Sequence, residues 1–273
     1  NMLFKKIEEL YNNRNTLKLD DESVLLIEKY YTDFIRSGSQ LSTQEKEKLK
    51  SINSEISILQ TSFSQNILKE VNASAVAFDN REELDGLSET AIESAASEAK
   101  SRGLDGKYVI ALKNTSSQPS LSSIKNRSTR QKIHMASLSR GSKGGDFDNR
   151  EILVKVLKLR AEKAHLMKYD NHAAYILESQ TARNPQNVNN RLSSLSPKAL
   201  ANAKKEAADL QKMIDAEGGD FKLASWDWDY YTEKVRTKRY NFDANQLRPY
   251  LEMNNVLQNG VFYAATKLFG ITF

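Results

Sequence analysis

The stretch LSTQEKEKLKSINSEISILQTSFSQNILKEV, residues 41–71, decides the class of fold. It opens with Ser42 three residues before Glu45, the spacing at which a serine and a glutamate cap a helix start reciprocally. Leu49, Ile52, Ile56, Leu59 and Phe63 then recur at intervals of three and four, so one side of a helix is apolar for several turns. Such a stripe could form a coiled-coil seam, but it lasts only about two heptads. Antiparallel packing inside a helical domain is the expectation.

Upstream, residues 2–15 read as a short helix. A second helix starts at Asp20 and Asp21, carries Val24, Ile27, Tyr31 and Phe34 on one face and stops at Gly38. Downstream, Ala75–Phe78 and Lys107–Lys113 break the helical rule. Both are short, β-branched or alternating, and bounded by turn residues. Strands this short are not stable alone, so the two are expected to pair. Between them an alanine- and glutamate-rich helix runs from about Glu89 to Arg102 and is ended by Gly103.

The loop NTSSQPSLSS, Asn114–Ser123, gives the best internal boundary, and the expected organisation is residues 1–113, a connecting loop 114–126, and residues 127–273. Helices are expected at about 127–140, 149–168 and 171–180. A long pair across 185–216 is expected to break near Pro197, with Ser196 capping the second member. Asp227 is placed to cap a helix through about Lys238, another helix begins at Asp243, and an amphipathic segment from Asn254 to Phe269 ends at Gly270. No repeat of about 33 to 47 residues appears, which removes a solenoid. The fold class is therefore mainly α with a small inserted β element.

Hydrophobic residues make up 39% of the chain and charged residues 27%, the balance of a globular protein. No apolar run approaches the ~20 residues of a membrane span, and Asn1–Glu9 lack the plan of a secretion signal. Forty Lys and Arg face 35 Asp and Glu with the signs interspersed, so no basic stripe suggests nucleic acid. Cysteine is absent, which excludes disulfides, thiolate metal sites and a cysteine nucleophile.

Zinc hydrolysis on a helix needs two histidines four residues apart. The three present are His134, His165 and His172, and seven residues of helix would hold the last two ~10 Å apart. Glu162 and His165 form half of a di-iron motif, but no second copy exists. Gly141–Gly145, GSKGG, is only loosely a phosphate loop, because Asp146 and Phe147 stand where Lys and Ser or Thr belong. It reads better as an interhelical turn with Asp148 capping the next helix. Asp146 and Asp148 also fall short of a calcium loop. The densest aromatic run, SWDWDYYTEKVRTKRY at 225–240, supplies Trp226, Trp228, Tyr230 and Tyr231, which suit a substrate channel or a core.

The order of motifs adds more. LRAEKAHLMKYDNHAAYILESQTARNPQNV (159–188), SWDWDYYTEKVR (225–236) and LRPYLEMNNVLQNGVFYAATKLFGITF (247–273) resemble three successive landmarks of the peptidyl-dipeptidases, in the thimet oligopeptidase and oligopeptidase A family of zinc metallopeptidases. Residues 41–70, 108–137 and 140–160 are similar to the same family in the same order. The resemblance implies a helical architecture around a deep channel that admits short peptides, with one zinc held by a His-Glu-x-x-His helix and a further glutamate. No position here matches those catalytic motifs.

The expectation is thus an internal fragment that binds no zinc itself and is inactive alone. It would contribute channel wall and lid, with Trp226, Trp228, Tyr230 and Tyr231 as channel candidates. Oligopeptides are the expected partners of the parent, with no nucleic acid and no membrane, in the cytoplasm or alternatively the periplasm. The rival readings are a helical scaffold without an enzymatic parent and a peptide-binding module used alone. Val256, Leu257, Val261, Phe262, Ala265, Leu268, Phe269 and Ile271 exceed what one amphipathic face needs, so a face left by truncation is expected to self-associate.

Overall fold

The computed structural model describes the whole chain except Asn1, Ser116, Phe242 and Asp243, and except the side chains of Ala244, Asn245 and Arg248. Helices dominate, and the sheet has two strands. The chain divides into two compact units, each assembled from separate segments: one comprises residues 1–75, 111–114 and 136–200, the other 76–110, 115–135 and 201–273.

In the first unit, α1 (Met2–Asn13) packs on α2 (Asp21–Arg36) through aromatic contacts, with the Tyr11 and Tyr31 rings stacked 3.8 Å apart. Asp20 caps α2 by accepting the Ser23 N–H at 2.7 Å. The helix α3 (Thr43–Ala73) begins with both hydrogen bonds of the expected capping box: the Glu45 N–H donates to Ser42 Oγ, and the Ser42 N–H to Glu45 Oε2. Removing one N-cap hydroxyl costs about 1 kcal/mol. Ser42→Ala should therefore lower the thermal midpoint by a few degrees, while Ser51→Ala, an exposed mid-helix change, leaves it level or raises it.

The partner of α3 is α6 (Arg150–Leu166). Lys48 pairs with Glu162 at 2.8 Å, Lys155 with Glu55 at 2.5 Å, and Asn149 reaches the Phe63 carbonyl at 3.1 Å. Numbers rise on one helix as they fall on the other, so the pair is antiparallel, as the stripe implies. The turn before α6 is closed from α3, where the buried Glu70 carboxylate accepts the Gly141 N–H. Asp148, expected to cap α6, is not its N-cap residue. It stands one residue before the N-cap Asn149 and accepts the Gly144 and Arg150 N–H groups at 2.8 and 2.9 Å. The Arg150 guanidinium beside it holds its carboxyl well below the usual range.

The short α7 (His172–Leu177) is tied to α2 by Arg36, which donates to Glu178 at 2.5 Å and to the Tyr175 carbonyl at 2.6 Å. The break expected at Pro197 does not occur: α8 runs from Pro185 to Ala216 with Pro197 inside it. Proline lacks the N–H that would bond the carbonyl four residues back. The helix continues past that gap, and Ser196, expected as a cap, instead turns its hydroxyl back to the Leu192 carbonyl at 2.7 Å.

In the second unit, β1 (Val76–Phe78) and β2 (Tyr108–Ile110) pair antiparallel, with Val76 opposite Ile110 and Phe78 opposite Tyr108. Three residues per strand suffice because Phe78 and Val109 are buried and α4 (Glu89–Ser101) packs on β2. The turn after β1 brings Gly86, at φ +99°, against the backbone of Ser123. Beside it the Lys125 N–H donates to the Asp85 carbonyl at 2.8 Å. The helix α5 (Arg127–Leu138) buries Ile133 in this unit.

The second half of α8 and α9 (Trp228–Tyr240) share a core of Leu210, Ile214, Tyr230 and Tyr231. Gln211 staples their connection, accepting the Leu223 N–H at 2.8 Å and donating to the Phe221 carbonyl at 3.0 Å. The helix start expected at Asp243 lies outside the described residues. A 3₁₀ segment covers Ala244–Leu251. The amphipathic segment beyond it is not one α-helix: Met253–Asn255 is α, Val256–Phe262 winds as a wider π-helix, and Tyr263–Phe269 returns to α. Gly260, which adds no side chain to the widened turn, sits within the π segment. Gly270 ends the helix in the left-handed conformation at φ 67°, as expected. Leu268 and Phe269 are each 75% exposed, so this segment leaves apolar surface uncovered.

Candidate functional site

The aromatic run that the sequence singles out lies at the start of α9, and its residues separate by depth. Tyr230 and Tyr231 are buried, their rings edge to face with centroids 5.1 Å apart. Burial pushes the Tyr231 hydroxyl pKa up. Trp226 and Trp228 are half-buried. Trp226 has an indole N–H that finds no hydrogen-bond partner among the described residues. Trp228 lines a cleft between the second half of α8 and α9.

What fixes this turn is a charged cluster. Asp227 precedes α9 but does not cap it, contrary to the sequence expectation; its side chain makes no bond to the helix after it. The carboxylate is fully buried and is claimed by two guanidiniums. Arg127 reaches it through Nη2 at 2.9 Å and Nε at 3.1 Å, and Arg130 through Nη2 at 2.8 Å. The Ala224 N–H adds a further bond at 3.1 Å. Arg130, only 1% exposed, spends its other terminal nitrogen on the Ile124 and Lys125 carbonyls.

Aromatic faces complete the enclosure: the Arg127 guanidinium carbon lies 4.2 Å from the Phe221 ring centre and 5.4 Å from that of Trp226, and that of Arg130 lies 4.3 Å from Tyr230. Burial alone would raise the Asp227 pKa, but the hydrogen bonds from Arg127 and Arg130 outweigh it and hold it below the ordinary value. The cluster carries two positive charges against one negative, and it anchors the turn from which both tryptophans project.

Arg127 and Arg130 do not stand out in the sequence. Their three-residue spacing on α5 puts both on one face, but arginines so spaced are ordinary on solvated helices, and only the fold reveals the carboxylate they meet.

Among the described residues no group of three or more His, Asp or Glu side chains could hold a metal ion. Glu162 is engaged by Lys48, and His165 Nε2 lies 3.0 Å from the Asp170 carbonyl. Among the described residues, therefore, no set fits a zinc ion. No helix among the described residues is long and apolar enough to cross a membrane.

A mainly helical chain with an aromatic, arginine-anchored turn and ordered oligopeptidase-like motifs defines a class, and comparison with known proteins agrees. Residues 120–273 match peptidase family M3. The dipeptidyl carboxypeptidases of Salmonella typhimurium and Escherichia coli are each 36% identical over 99% of this chain. Oligopeptidase A of Escherichia coli is 29% identical over 99% of it. The chain belongs to peptidase family M3, whose members are in general zinc-dependent hydrolases. It spans about 40% of the length of these relatives.

Proposed function

We propose that this chain is part of a zinc-dependent oligopeptidase of the dipeptidyl carboxypeptidase type and supplies helical channel wall and lid rather than the catalytic centre. The observation that carries the reading is the similarity of 99% of this chain to about 40% of the dipeptidyl carboxypeptidases, in a sequence without a His-Glu-x-x-His motif. Zinc, its ligands and the general base would then come from a portion of the protein outside these 273 residues. Trp226 and Trp228 are the channel-facing candidates, and Tyr230 and Tyr231 support them from behind. Short peptides are the substrates, because a wall of half-buried indoles offers flat apolar contact to a flexible chain at little entropic cost.

A chimera tests this. This chain would replace the matching 40% of the Escherichia coli dipeptidyl carboxypeptidase. The chimera should hydrolyse short peptides, and Trp226→Ala and Trp228→Ala should raise KM more than they lower kcat, while the chain alone releases no product. A chimera that folds, binds zinc and has no activity would overturn the reading.

A further inference from the structure

The sequence contains two Asp–Gly dipeptides, Asp85–Gly86 and Asp105–Gly106, and the fold treats them in opposite ways. Such a pair can rearrange without an enzyme. The main-chain nitrogen of the glycine attacks the side-chain carboxyl carbon of the aspartate, water leaves, and a five-membered succinimide forms. Water then opens the ring at its main-chain carbonyl, and the chain runs on through the side-chain carbon as isoaspartate. One water leaves and one returns, so the mass is unchanged and nothing is oxidised or reduced. The step needs an unengaged carboxyl, a glycine nitrogen outside any hydrogen bond, and a peptide plane between them that can turn; glycine brings no Cβ to obstruct the approach.

Asp85–Gly86 is held. The Asp85 carboxylate pairs with Lys125 Nζ at 3.2 Å, its carbonyl accepts the Lys125 N–H at 2.8 Å, and Gly86 lies against the backbone of Ser123. Turning that peptide plane breaks a hydrogen bond and meets main chain. The Asn–Gly pair at Asn259–Gly260 is wound into the π segment, with the Asn259 amide donated to Asn255 Oδ1 at 2.9 Å. Asp105–Gly106 is free. It lies in the turn between α4 and β2, closed by the Lys107 N–H donating to the Leu104 carbonyl at 3.1 Å. Both residues are exposed. Gly106 adopts φ +81°, and nothing lies within 4 Å of the place a Cβ would take. Among the described residues the Asp105 carboxylate meets no cation or donor, and neither the Asp105 carbonyl nor the Gly106 N–H is hydrogen-bonded.

We infer that Asp105 is a modification site, converting through a succinimide to isoaspartate in the folded chain. The added main-chain carbon falls inside the turn that sets the start of β2, where Lys107 pairs with Asp79 at 2.8 Å and Tyr108 stands opposite Phe78. The product carries its α-carboxylate as a side group, the feature that isoaspartyl methyltransferases esterify. The inference owes nothing to the peptidase reading and stands or falls separately from it.

The purified chain is kept for several weeks at body temperature in mildly acidic buffer, digested with trypsin and separated by chromatography. The peptide Gly103–Lys107 should split into two peaks of equal mass, the new one labelled by an isoaspartyl methyltransferase with S-adenosylmethionine. Isoaspartate there should exceed that in the peptide Glu82–Lys100, which carries Asp85, at least tenfold. Unfolding the chain in urea during the incubation should bring the two sites level, because only the fold distinguishes them. Asp105→Glu, which must close a six-membered ring, should yield no product, and Asp105→Asn should lose ammonia and show the mass gain of an amide turned to an acid. Equal product at the two aspartates of the folded chain, or a Gly103–Lys107 peptide that stays a single unlabelled peak, would overturn the inference.

Discussion

Replacing Asp227 by alanine should destabilise the unit that contains it by about 3–5 kcal/mol, the cost of leaving buried charge without its partner. The carboxylate is fully buried and answers two guanidiniums, one of them 1% exposed, so its removal strands a cation that solvent cannot reach. Urea denaturation measures the loss. Asp227→Asn keeps the shape but not the charge and should fall between wild type and alanine. The double variant Asp227→Leu with Arg130→Met should be less damaging than Asp227→Ala, because it removes the buried charges together.

The same cluster fixes a pH dependence. The folded pKa of Asp227 lies below its ordinary value. Its stabilising contribution is therefore whole above that value and is lost as pH falls through the folded pKa. Wild type should lose stability below about pH 4 by an increment that Asp227→Asn does not show. Equal acid profiles for the two chains would mean that the carboxylate contributes nothing through its charge.

The second large effect is expected at Gly86. A Cβ there would stand 2.1 Å from the Ser123 carbonyl oxygen, on a backbone at φ +99°. The neighbour is main chain, in a turn already fixed by the Lys125 to Asp85 hydrogen bond, so it cannot swing aside. Gly86→Ala adds a left-handed strain of roughly 1–2 kcal/mol to an overpacking cost of roughly 1–3 kcal/mol. Gly103 is the internal control: its φ is +72°, but nothing lies within 4 Å of the added carbon. Gly103→Ala should show the strain alone. Thermal melts of the two variants separate the terms, and equal shifts would show that the contact at Ser123 relaxes freely.

Local features were legible in the sequence because their causes are local. The Ser42 and Glu45 capping box, the stops at Gly38, Gly103 and Gly270, and the apolar stripe of α3 each depend on residues close in sequence, and each appears as expected. Pro197 misled because its missing N–H weakens a helix locally, whereas α8 extends well beyond it on both sides. Asp227 misled for the opposite reason. An aspartate before a helix is ordinarily a cap, and the arginines that claim it lie 100 and 97 positions away in sequence.

The aromatic run shows the same limit. Tyr230 and Tyr231 belong to the core while Trp226 and Trp228 reach the surface, and no period in SWDWDYY separates them.

The two-stranded sheet constrains the order in which this region assembles. Val76 and Ile110 cannot meet until the chain between them has closed into a loop, and that closure is unfavourable while the loop is disordered. Helix α4 occupies much of that loop and packs on β2. Forming α4 first shortens the distance left to random search and gives β2 a surface on which to wait. On this order β1 would join after α4 and β2, with Phe78 closing over them. The expected order in this unit is therefore helix before sheet.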